Sequence, residues 1–228
     1  MDDSTMKQQI QGLYARRAGW WRTPAVIVSA AWLTACAGLG DVAPAPQVLD
    51  VGAAEAQAPA RLPARAALAV PAVEAAPLLR SQGVIWREKG SLEPQAYASY
   101  QWASPPSELF EQRLRERLSI EGPVTAGNTG AMPELRVTLE RFEQVFDPAA
   151  GASGAPISTG DIALRAVLTD ARGQVADQLR VALSVPAASA DAPGGARALR
   201  SAVDAVAQSI AEWLSQQPAL RTGATAGR

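Results

Sequence analysis

The sequence predicts an α+β fold (α/β in the broad sense): a single domain with a mixed, largely antiparallel sheet and helices packed on it. Three observations predict it. Apolar residues alternate with polar ones along Leu135, Val137, Leu139, again along Ile162, Leu164, Ala166, Leu168, and again along Leu179, Val181, Leu183, Val185. Two other stretches, 105–118 and 199–214, repeat apolar residues at three- and four-residue steps. The 228 residues, less the first 35, suit one core. Hydrophobic residues reach 48% but aromatics only 5%, so that core must come from Leu, Val and Ile in a few dense segments.

Taken in order, residues 37–46 are small, contain proline and have no helical or strand period, which predicts an extended tether. Val48-Leu49-Asp50-Val51 is a weak strand, and 53–63 is an Ala/Pro/Gln loop. Ala66-Ala67-Leu68-Ala69-Val70 reads as a short buried strand, and Glu74 to Arg80 as a helical turn ended by Gly83. Val84-Ile85-Trp86-Arg87 and 96–102 form a hairpin around Lys89-Gly90-Ser91. Ser104 caps the next helix, with Pro105 at its first position and Glu108 favourable in the first turn. Leu109, Phe110, Leu114 and Leu118 supply its apolar stripe, and Arg113 and Arg117 read as a solvated edge. A Gly/Pro/Asn loop, 121–133, leads to three strands in an antiparallel meander. Phe142 falls out of phase with Leu139, which predicts a bulge near Glu140-Arg141 or a change of exposed face. A last helix carries Leu199, Val203, Val206, Ile210, Trp213 and Leu214 as far as Pro218, and the residues from Leu220 read as a frayed tail.

The chemistry is bounded by what is missing. One cysteine and no histidine rule out an internal disulfide, a thiolate or imidazole metal cluster, and Ser-His-Asp or Cys-His nucleophiles, so no metal or cofactor is expected. A Ser-Lys dyad after residue 35 has only Lys89 to use. The protein is expected not to be an enzyme. Net charge is −1 for the whole chain, +2 over the first 35 residues and −3 over the rest. A body so balanced gives no basic face for nucleic acid.

The first 35 residues run from positive (Arg16, Arg17, Arg22) to apolar (25–33) to small, which is the order of a secretory signal. The apolar run is too short to stay as a span, since about 20 residues are needed. It closes on Leu33-Thr34-Ala35-Cys36, which is similar to the bacterial lipobox: small residues fit the peptidase cleft, and the Cys36 thiol receives diacylglycerol. The chain therefore divides into a signal segment (1–35), a lipidated cysteine with its tether (36–46), a periplasmic domain (47–217) and a flexible tail (218–228). In lipoproteins an aspartate after the cysteine retains the protein in the inner membrane; Ala37 here implies the outer membrane, on its periplasmic face.

The runs Gly83-Val84-Ile85-Trp86-Arg87, 97–106 with Tyr97, Tyr100 and Trp102, and Leu114-Arg115-Glu116-Arg117-Leu118 form a pattern with 139–147 and with Ala211-Glu212-Trp213-Leu214. Together they resemble the ABC-type transport auxiliary lipoproteins, the PqiC-like family associated with MCE-type lipid transport. The resemblance covers about Val48 to Leu214. It implies a non-catalytic, outer-membrane-anchored partner of an MCE-domain protein and an ABC permease with its ATPase, with phospholipid or another hydrophobic molecule as cargo. A structural or regulatory lipoprotein bound to a cell-wall or envelope assembly machine would need the same anchor and a similar small domain. A homo-oligomer is left open.

Because such a protein acts by binding, the aromatics are the partner-interface candidates: Tyr97, Tyr100 and Trp102, with Phe142 and Phe146. A strand of period two puts Tyr97 on one face and Tyr100 with Trp102 on the other, so some must be core. Core packing is the stronger reading for Trp102.

Overall fold

The computed structural model describes residues 44–52, 62–127, 132–148 and 157–221. The signal segment, Cys36 and residues 37–43 of the tether lie outside the described residues, as do 53–61 and 222–228. The strands are β1 (Gln47–Leu49), β2 (Leu68–Ala69), β3 (Glu74–Ala75), β4 (Gly83–Glu88), β5 (Gln95–Trp102), β6 (Val124–Thr125), β7 (Glu134–Asp147), β8 (Ile157–Thr169) and β9 (Val175–Pro186). The helices are α1 (Pro106–Leu118) and α2 (Ala192–Ser215). All nine strands join one mixed sheet that curls into a half-barrel, with both helices packed on it, as the fold class predicts.

β7 organises the sheet. One of its edges pairs antiparallel with β8 along the full length, and β8 pairs with β9, which is the expected meander. The other edge is tiled by three short parallel partners in succession: β2 at Glu134, β3 at Thr138 and Leu139, and β4 from Gln144 to Phe146. β4 and β5 form the expected hairpin, and β1 lies parallel to β5. Two expectations change here. Glu74 and Ala75 are strand rather than helix, leaving only a 3-10 turn at Pro77–Arg80, and the 121–133 loop contains β6, which pairs with β2. Strands of two residues carry no period, so neither could be read from alternation.

The inward sides of β7 and β8 bury Leu135, Val137, Leu139, Ile162, Leu164, Ala166 and Leu168 against Leu199, Val203, Val206 and Ile210 of α2. Each such Leu, Ile or Val side chain contributes roughly 1.5–3 kcal/mol. The register of β7 on β8 shifts between Leu139 and Arg141, so the bulge falls where the phase break predicts it. That bulge brings Phe142 inward, at 1% exposure. α2 lies close over β8: a Cβ on Gly160 would sit 2.6 Å from the backbone nitrogen of Leu199, a gap only glycine leaves. At the helix's other end, Trp213 Nε1 and Gln217 Nε2 both donate to Asp177 Oδ2 of β9, at 2.9 and 2.8 Å. These donors, the indole first, hold the Asp177 carboxyl below its ordinary range.

Three corrections concern α1 and the tail. The helix begins one residue later than expected, with Pro105 in the cap position and no side-chain cap, so Ser104 does not cap it. Arg113 and Arg117 are not a solvated edge. Arg113 is 3% exposed, donates to the carbonyls of Val51 and Gly52, and pairs with Asp204 of α2 at 3.0 Å. Arg117 is 8% exposed, with Nη1 on both oxygens of Glu121 at 2.6 and 2.7 Å and Nε on Gln208 of α2 at 2.6 Å. A guanidinium is tolerated in such places because most of its fixed fork of donors finds acceptors, although Arg117 Nη2 is buried without a hydrogen-bond partner among the described residues. Arg65 does the same for the end of α1, donating from Nη2 to the Leu118 carbonyl at 2.7 Å. Burial lowers its pKa more than Glu121 raises it. Finally, the chain stays ordered past 217: Pro218–Leu220 is a 3-10 turn, Leu220 is buried, and Ala66 N–H donates to its carbonyl at 2.9 Å. An apolar side chain with a socket between α2 and residues 65–66 is not free to fray.

Candidate functional site

β5 carries a local irregularity that builds the site. Opposite Gly83 stands Gln101, but opposite Ile85 stands Ala96, so two steps along β4 correspond to five along β5. The extra residues invert the alternation between Tyr97 and Tyr100. The two tyrosines, expected on opposite faces, therefore share one, with ring centroids 6.0 Å apart and nearly perpendicular at 84°. Tyr97 also faces Trp86 of β4 at 6.1 Å, and Trp86 meets Phe146 of β7 edge-on at 5.6 Å and 89°. Four half-buried rings thus run Phe146, Trp86, Tyr97, Tyr100 across three strands.

These rings line an open groove of about 690 Å³, completed by Glu88, Ala96, Ala98, Pro148 and, from the start of α2, Ala190, Asp191 and Ala192. Of the five aromatics expected at an interface, Tyr97, Tyr100 and Phe146 line it. Trp102 and Phe142 do not: each is 1% exposed, and they pack on one another in the core at 5.4 Å and 70°. Their burial follows from position. Trp102 lies beyond the irregularity of β5, paired with Leu49 of β1, and Phe142 is the first inward residue after the β7 bulge.

Trp86, Glu88 and Asp191 also line the groove, though none was among the expected interface residues. Asp191 had a usable signal, since an Asp two residues before a proline and a long apolar-periodic run is a helix start. Its carboxylate caps α2, accepting from Gly194 N–H at 2.7 Å and from the Ser189 hydroxyl at 2.8 Å. Those two donors keep it below the ordinary carboxylate range and so ionised at neutral pH.

Beneath the rings a buried polar chain fixes the wall. Tyr97 Oη donates to Gln144 Oε1 at 2.9 Å, and Gln144 Nε2 donates to Ser158 Oγ at 2.7 Å and to the Asp191 carbonyl at 3.1 Å. Gln144 reaches the helix only because position 195 is glycine; a Cβ there would lie 2.3 Å from its Oε1. Burial, and then the charge of Asp191, push the Tyr97 phenol up to about 12. The difference between wild type and Tyr97→Phe in a phenolate absorbance titration is expected to show one group ionising near that value. The folded pKa lies above the ordinary 10, so its contribution to stability is whole below about pH 10 and is lost as pH rises through about 12. A Tyr97 that titrates with free tyrosine would mean that the ring is not held in this wall.

Lys89, the amine a Ser-Lys dyad would need, is bound to Asp147 at 2.6 Å, and that hydrogen bond raises its pKa, the reverse of what a general base requires. Among the described residues no group of three or more Cys, Asp or Glu is arranged to hold a metal ion, and no helix is long and apolar enough to cross a membrane.

A family model described as ABC-type transport auxiliary lipoprotein component matches residues 48–211, which run from β1 to the last turns of α2. Among solved structures, the crystal structure of a Xanthomonas campestris protein is similar with a TM-score of 0.58 at 22% identity, over 74% of this chain and 94% of that one. The crystal structure of an uncharacterized protein follows with a TM-score of 0.55 at 15% identity, over 75% of this chain and 99% of that one. At such identities the likeness is one of fold. No curated protein matches the sequence.

Proposed function

The chain belongs to the ABC-type transport auxiliary lipoprotein component family, and from that membership we propose that it is the outer-membrane-anchored, non-catalytic periplasmic component of an MCE/ABC-type intermembrane lipid transport system. The family gives the chain a lipoprotein role and an association with an ABC transport system. The observation that carries the finer reading is the aromatic groove: a surface suited to holding apolar groups, on a domain tied to one membrane by its amino-terminal end. The anchor is Cys36, and Ala37 after it directs the protein to the outer membrane. The partners are an MCE-domain protein and, through it, an inner-membrane permease with its ATPase. The domain itself breaks no bond; it holds or receives the periplasmic end of the path, whose cargo is phospholipid or another hydrophobic molecule.

Deletion of the gene should impair the same envelope barrier as deletion of the linked MCE gene, and the double deletion should be no worse than either, because both act on one path. The check is sensitivity to large hydrophobic antibiotics and detergent in the three strains, with co-purification of the native lipoprotein from membranes. Additive defects together with no MCE component among the co-purifying proteins would defeat the proposal, and a cell-wall or assembly enzyme in their place would favour the regulatory alternative.

A further inference from the structure

The groove has a chemistry of its own. Its lining carries four aromatic rings and two carboxylates, Glu88 and Asp191, and among the described residues no basic side chain. Aromatic faces present negative charge to whatever lies over them, and carboxylates at the rim add to it. The positive end of α2 could draw an anion, but Asp191 already neutralises it by accepting from Gly194 N–H. Three nearby cations are engaged elsewhere: Lys89 with Asp147, Arg87 with Glu143 at 2.7 Å, and Arg197 with the Ser189 hydroxyl at 3.3 Å, from where its charge also acts on Asp191. The field of Asp191 reaches into the ring wall, where it contributes to the raised Tyr97 pKa.

We propose that this groove binds an amphiphile that carries an ammonium group on an apolar chain, with the ammonium among the rings near Glu88 and Asp191 and the chain along Ala96, Ala98 and Ala192. The proposal rests on the reading of the groove as a binding surface and adds the sign of the charge it selects. A volume of about 690 Å³ suits a small molecule, within the roughly 300–1,000 Å³ common for ligand sites. A peptide backbone fits less well, since the Tyr97 hydroxyl and the Gln144 amide are already bonded inside the protein.

The test uses the mature lipoprotein kept soluble in a nonionic amphipol, titrated with hexyltrimethylammonium, hexanol and hexyl sulfate by calorimetry and tryptophan fluorescence. The ammonium should bind about tenfold more tightly than hexanol, as a cation over aromatic faces with nearby carboxylates predicts, and hexyl sulfate more weakly than hexanol. The double variant Glu88→Gln, Asp191→Asn keeps a side chain able to cap α2; it should remove most of the difference between ammonium and alcohol and leave hexanol binding in place. Trp86→Ala should weaken both, with circular dichroism confirming that each variant is folded. Equal affinity for the three probes would overturn the charge selection while leaving an apolar binding surface. No binding of any probe, or binding indifferent to Trp86→Ala, would overturn the site itself. Binding of a lysine-bearing apolar peptide with none of the ammonium would assign the groove to a protein segment and defeat the proposal, whereas the epistasis of the gene deletions would be untouched by any of these results.

Discussion

Trp102→Ala is expected to cost the domain about 3–5 kcal/mol, read as a fall in denaturant midpoint at unchanged slope. The indole is 1% exposed and meets Phe142 edge to face, so its removal leaves a cavity between β5, β7 and the helices that backbone pairing on both sides keeps open. A domain holds about 5–15 kcal/mol in all, so this one truncation removes a large share. Trp102 Nε1 is buried with no hydrogen-bond partner among the described residues, a standing penalty that the ring's packing exceeds. Trp102→Phe discards that donor and keeps an aromatic ring in place, and is therefore expected to cost far less than the alanine variant. Tyr100→Ala, at the half-buried wall of the groove, should cost no more than about 1–2 kcal/mol, within the ordinary range for single substitutions. If Tyr100→Ala proved the more damaging of the two, the division of the aromatics into core and groove would be wrong.

That division shows where sequence reasoning reaches and where it stops. The meander and α2 were legible because long strands and a long helix repeat their periods several times, and the family pattern was carried by runs that the structure puts into β4, β5, α1, β7 and α2. The β7 bulge was legible as well, since one apolar residue out of phase between two regular stretches means either an inserted residue or a change of face. The irregularity in β5 was not. It shifts register within a single strand, and Tyr97 and Tyr100 look the same in sequence whether three extra residues stand between pairings or none. The depth of Arg113 and Arg117 was hidden for a different reason. Arg117 has one local acceptor, Glu121 four residues on, but the groups that cover the two arginines from other elements, Val51, Gly52, Asp204 and Gln208, are brought to α1 only by tertiary structure. A charged side chain whose only visible partner is one turn away, or which has none, is read as exposed, because burying it without further acceptors would be prohibitive. The groove combines both blind spots: its rings come from three strands through a shifted register, and its carboxylates from a turn-side strand end and a helix cap.

Cys36→Ser is expected to abolish lipid attachment and with it function, although it leaves the sequence of the domain unchanged. The thiol is the only one in the chain, and the serine hydroxyl is no acceptor for diacylglycerol in its place. Each buried methylene holds the protein to the bilayer by about 0.8 kcal/mol, and a single chain binds only marginally, so the several acyl chains of a lipoprotein make the difference between a protein that stays and one that leaves. The variant should appear as uncleaved precursor or soluble protein, take up no labelled fatty acid, and restore the barrier of a deletion strain no better than an empty vector. Distance gives the reason. Pairing of β1 with β5 begins at Gln47, and residues 37–46 span at most about 3.3–3.6 Å each, roughly 35 Å in all. Anchored through Cys36 as proposed, the groove would be confined to a thin layer against its membrane, whereas a released one would be diluted through the periplasm and lose the effective concentration that a tether supplies. Labelled acyl chains on the serine variant would refute the assignment of Cys36 as the anchor. Full barrier function from an unlipidated, soluble variant would show instead that the domain works free of the membrane, and that its place at the end of a transport path is not what it contributes.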